Sequence, residues 1–146
     1  MSESTTTSTW PLFLTVHAVL ISKIEARLSE AGLPLLSWYD VLWALERADD
    51  KRLRMSELAE MTVISRSNLT RLVDRMESAG LVERVRSKED RRGAFAIVTA
   101  KGRAMRRKMW RVYSVAIEEL FANHIDSDAA AQLEGTLRRV LQAARA

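Results

Sequence analysis

Arginines, an asparagine and a row of hydroxyls crowd into one short segment, Ser65-Arg66-Ser67-Asn68-Leu69-Thr70-Arg71-Leu72-Val73-Asp74-Arg75-Met76. Their chemistry suits the reading of nucleic acid. Arginine grips guanine through two hydrogen bonds, asparagine grips adenine, and hydroxyls serve base edges or phosphates. At about 100° per residue, Leu69, Leu72, Val73 and Met76 form one inward stripe of a helix. The opposite side carries Ser67, Asn68, Arg71, Asp74 and Arg75, with Thr70 at the flank. An ordinary solvent-facing helix with an i, i+4 Arg71/Arg75 pair would read the same way. A second basic cluster, farther along the chain, separates the two. Lys88, Arg91 and Arg92 stand within five residues, with Asp90 between them. A basic hairpin tip of this kind lays an arginine into a narrow minor groove, where the negative potential is greatest. Asp90 is then a brace that orients Arg92, or else simply a turn-forming aspartate.

The elements needed to present these groups are legible around them. Ser65 caps the arginine-bearing helix, which ends at Gly80, a residue suited to a left-handed stop. Ahead of it, Ser56 caps a short helix over Glu57 to Met61, and Leu53 to Met55 reads as an edge strand. Leu81–Arg86 and Ala94–Thr99 have strand character, joined by the polar loop Ser87 to Gly93. A short helix, a tight turn, a second helix and a basic ribbon are the plan of a winged helix-turn-helix, whose second helix lies in the major groove.

Flanking helices complete the chain. Thr9-Trp10-Pro11 reads as a helix start, because proline suits a first turn. Phe13, His17, Leu20, Ile24 and Leu28 then repeat at helical spacing toward Gly32. Ser37 caps a second helix to about Ala48, apolar on two sides and so expected to be sandwiched. A long helix runs from Thr99 to about Asn123, and a last one follows Ser127. Residues 1–9 are expected to be a disordered tail and 10–146 a single domain. Its winged helix spans about 37–100 and its flanking helices about 10–32 and 100–145. The expected class is mainly α, with about six helices and a small β-hairpin wing.

Charge is laid out in the same sense. Residues 51–111 hold 17 Lys/Arg against 7 Asp/Glu; the remainder holds 6 against 12, recovering the chain totals of 23 and 19. A basic middle between acidic ends is the footprint of a polyanion-binding module. The chain has no cysteine, which excludes disulfides, zinc-thiolate sites and thiol redox sensing. The apolar run Trp10 to Ile21 is too short to span a bilayer and has no basic start before it, so a cytoplasmic protein with no membrane partner is expected.

The run Leu58-Ala59, then Ser65 through Glu77, then Gly80-Leu81-Val82-Glu83-Arg84 resembles the DNA-binding core of the MarR (multiple antibiotic resistance regulator) family. The likeness continues through Asp90-Arg91-Arg92-Gly93, the wing motif, and Thr99-Ala100-Lys101-Gly102, the strand-to-helix junction. Its strong part spans about residues 53–103. The resemblance implies a homodimer built from the first helix and the last two, reading a pseudo-palindromic operator on double-stranded DNA. Ser65, Arg66, Ser67, Asn68, Thr70, Arg71 and Arg75 would sit at the major groove. Lys88, Arg91 and Arg92, supported by Asp90, would sit at the minor groove. It also implies a repressor released by a small-molecule effector, phenolic or carboxylated, bound between dimerisation and DNA-binding regions.

For such an effector the aromatics Trp10, Trp38, Tyr39 and Trp110, with His17, are the candidate walls and handles of a pocket. The same stripe equally describes core or dimer interface. With two histidines and no cysteine, no metal and no cofactor are expected. An enzyme is not expected either, since no nucleophile elbow or phosphate-binding glycine loop is present. The alternatives to a sequence-specific regulator are a non-specific architectural DNA binder and a winged-helix protein-interaction module.

Overall fold

The computed structural model describes residues 4–86 and 93–146. Lys88, Asp90, Arg91 and Arg92, the basic cluster and its acidic brace, lie outside them. The chain forms two compact units, Met1–Tyr113 and Ser114–Ala146. Among the described residues, the helices are α1 (Thr5–Glu30), α2 (Leu36–Arg47), α3 (Met55–Met61), α4 (Arg66–Ser78), α5 (Ala100–Leu120) and α6 (Ser127–Arg145). The strands are β1 (Arg52–Arg54), β2 (Val82–Arg86) and β3 (Ala94–Val98). The fold is thus the expected mainly α winged helix-turn-helix. None of these helices is long and apolar enough to cross a membrane.

Several boundaries differ from the sequence reading, each for a local reason. Helix α1 starts at Thr5, within the expected tail, because Ser4 caps it and accepts from Thr7 N at 3.3 Å. Ser8 and Thr9 hydroxyls bond back to the Thr5 carbonyl, at 3.0 and 2.6 Å, which satisfies this polar first turn. Pro11 therefore lies inside the helix and not at its start. Ser37 and Ser56 are likewise first-turn residues and not caps. Helix α2 begins after Leu35, and α3 after Arg54, whose N–H donates to Glu57 Oε1 at 3.2 Å. Asp126, one residue earlier than Ser127, caps α6 by accepting from Ala129 N at 2.8 Å.

The first unit is built on α2. Its Val41, Leu42 and Leu45 are buried with Leu58 of α3, with Leu69, Val73 and Met76 of α4, and with Val82, Ala96 and Val98 of the sheet. The strands are antiparallel in the order β1-β3-β2, so the expected two-stranded ribbon gains β1 as a third member. Along β3, Ala96 and Val98 point into the core while Phe95 lies opposite both Arg54 and Val85. The Arg52 and Arg54 guanidinium groups lie 4.9 and 5.3 Å from the Phe95 ring, so cation–π contact fastens β1 to β3. In the second unit, α6 buries none of its residues. Leu133, Leu137, Val140 and Leu141 remain exposed along it.

Candidate nucleic-acid interface

The interface is organised by α4. Ser65 caps it, accepting from Asn68 N at 3.4 Å, so this hydroxyl ends the helix as well as facing outward. Leu69, Leu72, Val73 and Met76 are buried, and Arg66, Ser67, Asn68, Thr70, Arg71 and Arg75 are exposed. Among the described residues neither Arg71 nor Arg75 is paired with a carboxylate, which leaves both cations available to an outside partner. Thr70 is partly committed, since its hydroxyl donates to the Arg66 carbonyl at 3.1 Å.

Asp74 is exposed on the outward face, as expected, but it also has a partner there. Its Oδ1 is ion-paired with Arg84 of β2. The Arg84 backbone N–H also donates to Glu77 Oε2 at 2.8 Å, and its Nε lies 3.8 Å from Glu77 Oε1. Two acids of α4 thus hold the strand that leads into the wing, and this brace escaped the sequence reading because Asp74 shares the polar face with Arg71. Arg84→Ala should lower DNA affinity about tenfold, about 1.4 kcal/mol. The pair is partly exposed, so stability should fall by only about 1 kcal/mol. Parallel DNA-binding and urea-unfolding curves would check both; unchanged affinity would leave the brace without a role in binding.

The far end of α4 is fixed by the junction before α5. Thr99 Oγ1 donates to the Gly80 carbonyl at 2.7 Å and accepts from Gly102 N at 3.0 Å. Lys101 Nζ donates to the Ala79 carbonyl at 2.9 Å, placing a cation at the negative end of the helix. Near the other end, a cleft of about 360 Å³ opens between α3, α4 and the start of β3. Arg54, Ser56, Arg66 and Thr70 line it with Gly93 and Ala94. Sequence reasoning did not single out Arg54 and Ser56 of this cleft; their signal was the basic Arg-Leu-Arg-Met-Ser run leading into α3.

The five pocket candidates divide. Tyr39 of α2 is buried and stacks on Trp110 of α5, centroids 5.9 Å apart, with Tyr113 edge-on to both at 5.0 and 5.7 Å. Trp38 packs against the core. Trp10 and His17 lie on the exposed first half of α1, Trp10 beside Phe13 at 6.3 Å. Beside the ring cluster, burial raises the Asp40 carboxyl from 3.8 to about 6. Burial raises the Tyr113 phenol too, with smaller contributions from the Asp40 charge and from Tyr39.

The Asp40 shift carries a pH dependence. The folded state holds this proton more tightly than the unfolded chain. Its contribution is therefore full below pH 3.8 and is lost as pH rises to about 6. Asp40→Asn should flatten that slope and stabilise the protein at neutral pH by about 1–2 kcal/mol, solvent screening included. Thermal unfolding across that pH range checks it; parallel profiles for both proteins would count against the burial.

The family model described as "MarR family" matches residues 31–93. The PapX HTH-type transcriptional regulator of Escherichia coli is 31% identical over 87 residues, covering 60% of this chain and 53% of PapX. The chain thus spans about half the length of the curated relatives it matches. Two solved structures extend the likeness across the chain. AbsC, a MarR family transcriptional regulator from Streptomyces coelicolor, is 30% identical with a TM-score of 0.89, covering 99% of this chain and 97% of AbsC. Sco3205, a MarR family regulator from the same organism in complex with DNA, is 25% identical with a TM-score of 0.90, covering 98% and 89%.

Proposed function

The chain belongs to the MarR family of DNA-binding transcriptional regulators, and on that premise we propose a sequence-specific homodimeric repressor that a small ligand releases from its operator. One observation carries the proposal. Helix α4 buries one complete face in the core and offers Ser67, Asn68, Thr70, Arg71 and Arg75 on the other. A helix anchored this way can enter a major groove without rearranging the fold. Arg71 and Arg75 read bases or phosphates there, Arg66 lies at the groove edge, and Lys88, Arg91 and Arg92 continue into the minor groove with Asp90 as support.

The dimer is supported by apolar surface that a single copy leaves open. Trp10, Leu12, Phe13, Leu14, Val16 and Val19 are all exposed on α1. In the other unit, Phe121, Leu133, Leu137 and Leu141 line a groove of about 430 Å³. Patches of this kind mark interfaces between proteins. A two-fold dimer presents two copies of α4, which matches a pseudo-palindromic operator. The protein binds and does not catalyse, and it acts in the cytoplasm, where its DNA is.

The test is binding to the DNA upstream of its own gene against scrambled DNA of equal length, at two salt concentrations. The expected result is a preference of roughly a thousandfold for the natural DNA, with affinity falling as salt rises. Arg71→Ala should cost about 1–3 kcal/mol, concentrated at one base pair of the operator. Weak binding indifferent to sequence would replace the regulator with an architectural DNA binder.

A further inference from the structure

Helices α2 and α5 meet along a seam that carries two carboxylates. Glu46 is matched: its Oε2 pairs with Arg106, whose guanidinium also lies 4.9 Å from the Trp43 ring centre. Asp40 lies on the same helix beside Tyr39, and its charge acts on Tyr113. No basic side chain or hydrogen-bond donor among the described residues is paired with it. The seam therefore repeats one pattern, an acid with aromatic rings, and among the described residues supplies the cation only once.

The surroundings of Asp40 favour a cation from outside. A carboxylate drawn partly out of water is costly unless it is paired. Tyr39, Trp110 and Tyr113 sit together with centroids 5.0 to 5.9 Å apart. Ring faces are negative, so this cluster, whose Tyr113 feels the Asp40 charge, attracts an organic cation and repels an anion. Trp110 is 43% exposed, which leaves ring surface open to an arriving ligand. The absence of a compensating cation among the described residues is consistent with the raised Asp40 carboxyl, whose cause is burial alone.

We propose that the effector of this chain is an organic cation, an amine or quaternary ammonium carrying a ring, held by the Asp40 carboxylate against Trp110, Tyr113 and Tyr39. The proposal rests on the reading of the chain as a ligand-released regulator, and it replaces the phenolic or carboxylated effector that the family resemblance implied. An anion would meet Asp40 as a like charge in a partly dry site.

The experiment is calorimetric titration of the full chain at neutral pH with benzyltrimethylammonium, benzyl alcohol and benzoate in turn. The cation should bind at least about tenfold more tightly than the alcohol, and benzoate most weakly. Asp40→Asn should erase the preference for charge, and Trp110→Leu, altered at an exposed ring, should weaken the cation while the fold persists. Absence of binding by the ammonium probe, equal binding of the three probes, or a preference that survives Asp40→Asn would each overturn the proposal. So would an Asp40→Asn variant that loses its dimer yet keeps probe binding, because the carboxylate would then serve the subunit contact. Each probe is also added to the protein on its upstream DNA. Sequence-preferring DNA binding with no ammonium binding sinks the cation site alone, whereas loss of sequence preference sinks the regulator and leaves the calorimetry to judge the site.

Discussion

Gly102→Ala should destabilise the protein by about 3–5 kcal/mol, the opposite of what helix propensity forecasts. Alanine inside a helix normally gains roughly 0.5–1 kcal/mol over glycine. Here the added Cβ would stand 2.1 Å from the Leu81 carbonyl oxygen and 2.9 Å from Val98 Cγ2. The first obstacle is backbone, pinned by the bond from Thr99 N to the same Leu81 oxygen at 3.1 Å. It cannot yield as a flexible side chain would. The clash therefore outweighs the propensity gain, and relief requires α5 to move off the end of α4. Gly135→Ala in α6 is the control, because its Cβ would meet only Arg139 Nη1 at 3.7 Å. That variant should be neutral or stabilised by up to about 1 kcal/mol. Urea unfolding of both at one fixed protein concentration checks the pair, since stability of an oligomer depends on concentration. A Gly102→Ala midpoint at or above that of the unaltered protein would show that the junction is looser than its geometry.

The second large effect is expected at Arg106. Its side chain is 13% exposed and that of its partner Glu46 is 16% exposed. Arg106→Ala would leave the Glu46 carboxylate half dry with no cation and would remove the cation–π contact with Trp43. The expected cost is about 2–4 kcal/mol. Replacing both partners with apolar residues, Glu46→Leu with Arg106→Met, should recover most of that loss, because much of the single-variant cost is the stranded charge. A double-mutant cycle by urea unfolding measures the coupling. A double variant as unstable as Arg106→Ala would mean that packing, and not charge, makes this contact.

Much of the interface could be read from residue order. The period of Leu69, Leu72, Val73 and Met76 decided which face of α4 is buried, because an apolar stripe has nowhere else to go. Ser65 and Gly80 marked its ends for equally local reasons, a hydroxyl that caps and a residue at ease with a φ of 79°. Other caps misled, as at Ser37 and Ser56, since serine is also comfortable in a first turn. The brace from Arg84 to Asp74 and Glu77 was invisible because it joins a strand to a helix, and charge pattern along one element cannot show the groups that lie across from it.

Residue order was enough for the class of fold, the outward-facing side of α4 and the basic middle of the chain. All of these arise from periodicity, capping and charge, which act over a few residues. It took the packed chain to place Gly102 against the Leu81 carbonyl, to complete Glu46 with Arg106 and to leave Asp40 without a cation among the described residues. Each of these depends on segments far apart in the chain meeting in close-packed contact, where ångström distances fix the energy and local pattern carries no information about them.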